Sequence, residues 1–365
     1  MHTRFNGILC SSLIVSAVFA LQFLLAGCSP ASNRPLPTIV TQDFESGTDA
    51  NLVGLSVVDG NVWWAGGAEG TVLRTVDGGA NWSVFVIAPE DSLQFRDVHG
   101  VDSVRAYALG IGPGDKSRIY RTADGGASWT LTWKATDPND FFDCFDFWTA
   151  TAGLLIGDTN YGRIRLMRTD DGASWRAVDD TAIPMSRGKE GGFAASGTCL
   201  VTKGDSLAWI ATGSEQGSRI YRSSNRGLHW TVADVDIFAG HEAAGLMTLA
   251  FRNNNHGFAA GGVLAMPDES RPNLMETVDG GLTWERFDGP QLPNVYGLAV
   301  SPGPGSTHVI AVGPKGMDAS FDDGRTWSSV DKRNYWSVQF IDDYNAVAVG
   351  PRGRVTVARL QLTAG

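Results

Sequence analysis

The side chains best suited to chemistry stand far apart along the chain: Arg96 with Asp97, Asp143, Asp158, Arg163, Arg187, Glu190, His241 with Glu242, Tyr296, and Tyr335 with Trp336. Two carboxylates held on either side of a glycosidic bond, about 5–10 Å apart, can cleave it. If the chain is a hydrolase, Asp143, Glu190 and Glu242 are the carboxylates expected to do so. Arginine, histidine and aromatic groups gathered at one place would instead hold a small molecule or a peptide. A plainer reading makes the same residues a solvated rim around a channel plugged by Phe142, Tyr335 and Trp336. Other chemistries lack their patterns. His99, His229, His241, His256 and His308 are scattered, and no Cys-x-x-Cys or His-Glu-x-x-His run occurs, so no metal site is expected. There is no Gly-x-Ser-x-Gly elbow, and Asp115-Lys116-Ser117 lacks the glycine a phosphate loop places before its lysine. No cofactor is implied.

Residues so far apart can meet only on a scaffold that returns repeatedly to one place, and the chain repeats. Thr75-Val-Asp77-Gly-Gly79-Ala-Asn81-Trp82 recurs as Thr122-Ala-Asp124-Gly-Gly126-Ala-Ser128-Trp129 and as Arg168-Thr-Asp170-Asp-Gly172-Ala-Ser174-Trp175. It recurs again as Ser223-Ser-Asn225-Arg-Gly227-Leu-His229-Trp230, Thr277-Val-Asp279-Gly-Gly281-Leu-Thr283-Trp284 and Ser320-Phe-Asp322-Asp-Gly324-Arg-Thr326-Trp327. Successive tryptophans lie 47, 46, 55, 54 and 43 residues apart, close to the length of a four-stranded propeller blade. In each copy the Asp or Asn side chain can cap a tight turn, the glycine can take positive φ, and the indole can pack between blades. Short β-branched and aromatic runs around each copy, such as Val62-Trp-Trp-Ala-Gly66, read as strands of a meander.

These features predict an all-β fold: a seven-bladed β-propeller of four-stranded antiparallel blades. Six blades fall near 52–87, 94–134, 141–178, 192–233, 245–287 and 294–330. Segments 336–340, 346–350 and 354–360 supply three strands of a seventh, and Thr38–Phe44 is expected to add the fourth and close the ring. The chemical residues then lead into inner strands on the face opposite the repeated turns, with Asp158 and Arg163 flanking a turn of blade three. The segment 179–192, which carries Arg187, Lys189 and Glu190, is the longest lead-in and is expected to set specificity. Cys144 and Cys199 fall at similar heights on adjacent inner strands, so either a disulfide or two buried thiols can result.

Ahead of the repeats, one charge at Arg4 precedes an apolar run at 8–25 that ends in Leu25-Ala26-Gly27-Cys28. That order is an export signal, and its end resembles the bacterial lipoprotein box. Residues 1–27 are expected to be removed, Cys28 lipidated, 28–36 to form a flexible tether, and 37–362 to form the propeller; an ordinary cleaved signal or an uncleaved anchor is the alternative. Ser29 resembles the outer-membrane sorting pattern, which places the protein at the periplasmic side of that membrane. Export also permits disulfides. The net charge of −10 gives no general attraction for nucleic acid.

The repeated pattern Ser/Thr-x-Asp-x-Gly-x-Thr-Trp resembles the Asp box of bacterial neuraminidase repeats. The sialidase Phe/Tyr-Arg-Ile-Pro motif is absent; Arg118-Ile-Tyr and Arg219-Ile-Tyr are its nearest strings. The run from Gly67-Ala-Glu-Gly70 through Trp82 is similar to the photosystem II stability and assembly factor family. That resemblance implies an exported seven-bladed chaperone that binds a membrane-protein intermediate through basic residues, here Arg74, Arg121 and Arg222. A non-catalytic monomer binding an envelope or membrane protein is the expected function. An Asp-box glycoside hydrolase, or a propeller that binds carbohydrate, is the alternative.

Overall fold

The computed structural model describes residues 37–89 and 92–361; the expected export signal, the expected lipidation site Cys28 and the expected tether lie outside them. The described residues form seven four-stranded antiparallel sheets. Blade one runs outward from the axis through Leu52–Val57, Trp63–Gly67, Thr71–Thr75 and Ser83–Val86. Its three inner strands are almost wholly buried, whereas Ser83, Val84 and Val86 of the fourth are exposed. Blade seven is assembled from both ends of the described chain. Ser337–Phe340, Asn345–Val349 and Val355–Gln361 are completed by Thr38–Phe44, in register from Thr38 opposite Gln361 to Phe44 opposite Val355. Pairing the two ends closes the ring with main-chain hydrogen bonds.

The repeated turn works as a local clasp. In blade one the Thr75 hydroxyl donates to Asp77 at 2.8 Å and accepts from the Gly79 amide at 3.0 Å, while Asp77 accepts from the Asn81 amide at 2.8 Å. Thr122 with Asp124, Ser223 with Asn225, Thr277 with Asp279, and Ser320 with Asp322 repeat it. Blade three departs from the expected alignment. Its clasp is one residue shorter and uses Thr169 and Asp171, with Asp171 accepting from the Ser174 amide at 2.7 Å. Asp170, expected in that role, turns outward to Arg168 and Arg176 because the glycine follows Asp171 directly.

Each turn delivers its tryptophan to the junction with the preceding blade. Trp129 meets Trp64 edge-on at 6.2 Å, and Trp284 meets Phe251, which itself stacks on Trp209 at 3.7 Å. Trp82, Trp175, Trp230 and Trp327 take the corresponding places in the apolar clusters of their own junctions. An indole of this size buries roughly 150–250 Å², so the junctions, not the blades alone, hold the core.

Around the axis the inner strands are stitched by side chains that reach the next strand's backbone. Gln339 of blade seven accepts from the Val57 amide at 2.8 Å and donates to the Leu55 carbonyl at 2.9 Å. Ser56 accepts from Gly100 N, Asp97 from Phe145 N, Asp146 from Thr202 N, and Thr248 from Leu298 N. Lys203 completes the blade four–five link by donating to the Phe251 carbonyl. Blade four begins at Leu200, later than the expected 192, because the residues before it enter the axis.

Gln339→Ala removes both bonds across the ring closure and leaves two backbone groups without their partner. It is expected to cost about 1–3 kcal/mol. Val76→Ala, on an exposed turn, should stay within about 0.5 kcal/mol. Urea unfolding of the two variants checks the contrast; equal midpoints would show that the inner stitching contributes little.

Candidate functional site

On the face carrying the lead-in segments, the axis is closed by the chain itself. Residues 191–198 touch blade after blade. Gly191 and Gly213 exchange main-chain hydrogen bonds at 3.0 and 3.1 Å, tying the segment to blade four. The Arg96 guanidinium of blade two donates to the Ala194 carbonyl at 3.2 Å, and the Ser337 hydroxyl of blade seven donates to the Ser196 carbonyl at 3.3 Å. Thr198 pairs with the Thr248 hydroxyl of blade five at 2.7 Å, and its carbonyl accepts from Leu249 N at 2.9 Å. One short segment can reach blades two, four, five and seven only by filling the centre. Gly197, at φ +79°, lies so close to the Asp97 carboxylate that any side chain there would collide with it.

The mouth above this plug is aromatic. Phe193 is buried with Ala195, Met247 and Tyr296, and Trp336 packs against them. Tyr296 stacks on Trp336 at 4.8 Å, and the Arg96 guanidinium stands 5.4 Å over the Trp336 ring. Asp143, on the inner strand Phe142–Phe147, and Asp158, on Gly153–Asn160, meet beside them. Gly191 presses on the Asp158 carboxylate so closely that a Cβ would collide with it, and Gly192 lies between Asp143 and the Cys199 sulfur. Cys199 is bonded to Cys144 with Cα atoms 6.0 Å apart, which pins the far end of the plug to blade three.

The two carboxyls are in hydrogen-bond contact. Burial first, and then Asp158, push the Asp143 carboxyl well above the usual range, and Arg96 opposes them. Burial raises Asp158 to about 7, against hydrogen bonds from Asp143 and the Gly192 amide. Two ionised carboxylates at ~3 Å repel by roughly 5 kcal/mol even at an effective dielectric of about 20. A hydrogen bond to a charged group contributes only about 1.5–3 kcal/mol, so the pair keeps one proton between its members. Asp143, the more deeply buried member, is the one that holds the proton and donates to Asp158.

Arg96, Asp143, Asp158, Tyr296 and Trp336 therefore converge, and the other expected site residues do not. Asp97 lies deeper, where burial raises its pKa well above the ordinary value while it accepts from Phe145 N. Glu190 is 1 % exposed, between blades three and four. The Arg219 guanidinium, the Tyr221 and Thr212 hydroxyls and the Arg187 amide saturate it. Arg163 donates to the Ile183 carbonyl and Arg187 to Asp234, so both clamp the long lead-in and leave the mouth to others. His241 accepts from Ala243 N, and Glu242 is exposed on the rim. Tyr335 does not plug the channel; it is buried between blades six and seven, with its hydroxyl on Asp331 and Thr356. Phe142 is likewise interior, edge-on to Trp133 at 4.9 Å. Arg74 and Arg222 donate to the Ser103 and Gly280 carbonyls of the next blade, and Arg121 covers Tyr107. Sequence reading missed the plug; its signal was one Phe inside the small-residue run Gly191-Gly-Phe-Ala-Ala-Ser-Gly197, where a strand was expected.

No protein-family model matches the chain, and no curated protein matches it. Solved structures do. YCF48 bound to D1 peptide is similar with a TM-score of 0.61 and 18% identity, over 87% of this chain and 96% of that one. YCF48 from Cyanidioschyzon merolae gives 0.63 and 17%, over 87% and 98%. Catalytically inactive virginiamycin B lyase from Staphylococcus aureus with quinupristin gives 0.63 and 10%, over 88% and 100%. At these identities the likeness is one of fold.

Glu190→Ala strands the buried Arg219 guanidinium and is expected to cost about 3–5 kcal/mol. Glu242→Ala, on the rim, should change stability by less than about 0.5 kcal/mol. Chemical unfolding distinguishes them, and comparable losses would mean that Glu190 does not hold the lead-in.

Proposed function

We propose that this chain is a non-catalytic propeller of the bacterial envelope that binds a protein segment on its lead-in face and assists the assembly of a membrane protein. In this reading residues 1–27 direct export, Cys28 carries the lipid anchor at the periplasmic side of the outer membrane, and the repeated turns are Asp boxes. One observation carries the partner-binding part. The axis is filled by residues 191–198, so the lead-in face presents a surface in place of an open catalytic pocket. That face carries the partly exposed Arg96 and Trp336 near the axis, and Tyr161 and Met185, which are 74% and 56% exposed, in the blade three turn and the long lead-in. Aromatic groups, Met and Arg are the residue types that concentrate binding energy at protein interfaces. The similarly folded YCF48 has been solved bound to a D1 peptide, which supports a polypeptide ligand for a propeller of this build.

The carboxylates are poorly disposed for the glycoside hydrolase alternative. Asp143 touches Asp158, Glu190 is neutralised by Arg219, and Glu242 stands apart on the rim. A hydrolytic pair needs about 5–10 Å between its members.

A photo-crosslinking residue at Met185 is expected to capture one membrane protein in cells. The same probe at Leu282, on the repeated-turn face, should capture at least about tenfold less, and Arg96→Ala should weaken capture from Met185 by about tenfold, roughly 1.4 kcal/mol. Labelling with a fatty acid, lost in Cys28→Ser, tests the anchor separately. Equal capture from both faces, or glycan release by the purified protein, would sink the reading.

A further inference from the structure

Arg74, Arg121 and Arg222 each stand immediately before a repeated turn, but the following blade receives only two of them. The Arg74 guanidinium donates to the Ser103 carbonyl at 2.8 Å and lies so close over Gly125 that any side chain there would collide with it. Arg222 donates to the Gly280 carbonyl at 2.8 Å. Gly125 and Gly280 hold the same position, the first glycine of the following blade's turn. Blade three, which follows Arg121, lacks that residue. Its clasp closes from Thr169 to Gly172 across three positions, where those of blades one and two span four. The other seat is taken. Ala150 stands in blade three where Ser103 stands in blade two, and its carbonyl accepts from the Tyr107 hydroxyl at 3.1 Å. Among the described residues Arg121 therefore forms no hydrogen bond or ion pair, and its guanidinium lies over the Tyr107 ring at 5.8 Å.

This unspent arginine lines a groove of about 380 Å³ that runs along blade two past Asp124, Ser128, Thr130 and Thr132 and reaches Ala173 of the shortened turn. We propose that the groove binds a small sugar acid, with the ligand's carboxylate on Arg121 and its hydroxyls on the polar wall. The site lies beside the repeated turns, away from the lead-in face, so it stands whether or not a protein segment binds there.

Stacking on Tyr107 uses the face of the guanidinium and leaves the donors along its edge, which a carboxylate can meet with two parallel hydrogen bonds. The volume falls within the roughly 300–1,000 Å³ of small-molecule sites. Thr132 donates to the Ile119 carbonyl at 3.1 Å and Ser128 to Asp124 at 2.6 Å, so both hydroxyls keep lone pairs for a ligand's donors. The Thr130 hydroxyl has no partner among the described residues and can both donate and accept. Asp124 decides between ligands. Bonds from the Ser128 hydroxyl and amide and the Thr122 hydroxyl lower its pKa to about 2, so it is charged at neutral pH. Those three bonds leave open one of a carboxylate's roughly four acceptor positions. A bare phosphate or an acidic peptide side chain offers nothing to that position and is repelled by the charge. A ligand that carries both a carboxylate and hydroxyls satisfies Arg121 and Asp124 together.

Titration of the full chain with glucuronate, followed by NMR, tests the site and needs no variant to fold. The amides of Thr130 and Thr132 are expected to shift and saturate while those of Val309–Gly313 in blade six hold steady. Glucose, which has the ring without the carboxylate, and inorganic phosphate should each bind at least about tenfold more weakly. Arg121→Gln should weaken glucuronate binding by at least about tenfold. Inserting one glycine between Asp171 and Gly172 restores the missing turn residue, gives Arg121 a carbonyl to reach, and should weaken binding as much. The proposal is overturned by the absence of a saturable shift, or by undiminished binding in either variant. Equal binding of glucose, of phosphate or of an oligoglutamate peptide would overturn it as well.

Discussion

Each inner strand of a propeller has one edge with no strand beside it, and those edges line the axis. Their amides and carbonyls are too deep for free exchange with water, and each one left without a partner costs about 1–3 kcal/mol. Much of this molecule can be understood as the answer to that demand. Gln339, Ser56, Asp97, Asp146, Lys203 and Thr248 each reach a neighbouring strand's backbone, and the links run from blade seven round to blade six. Side chains that do this must place a polar group within reach of the next strand's backbone, which explains why carboxylates, hydroxyls, an amide and a lysine occur along the inner strands.

The plug satisfies further inner-edge groups on the lead-in side. Residues 191–198 bond to Gly213, Leu249, Arg96 and Ser337, replacing solvent with chain. Filling the axis in this way brings carboxylates under cover, and burial then governs their chemistry. Glu190 meets the demand with a full set of donors, whereas Asp143 and Asp158 meet it by sharing a proton. The channel mouth therefore carries little net charge despite its acidic residues, and what it offers outward is an arginine lying on stacked aromatic rings.

Farther out, the repeated turns and their tryptophans make the junctions tolerant. The clasp needs a hydroxyl, an acceptor two residues on, and backbone that can turn left-handed, and several residue types meet those needs. Asn225 replaces Asp, Arg226 beside it and Asp323 beside Asp322 take positive φ, and blade three drops a residue altogether while keeping the corresponding bonds. The tryptophan arrives at the junction each time, so apolar packing between blades survives changes in the turn that delivers it.

The seven-bladed ring and its closure by Thr38–Phe44 were legible in the sequence, because a repeated turn and alternating strands are local patterns whose physics needs only near neighbours. The blade boundaries followed from the same periodicity, apart from the one place where the period was interrupted. Which polar residues would meet was decided by tertiary structure alone. Arg96, Asp143 and Asp158 share a mouth while Glu190, Tyr335 and Phe142, drawn from equivalent positions, do not. Side-chain direction at a strand's start depends on register against the next blade, and Gly191 to Thr198 gain their place only from contacts with blades two, four, five and seven. Burial, and with it the pKa of every carboxylate at the axis, is a property of that assembly and is written in no single repeat.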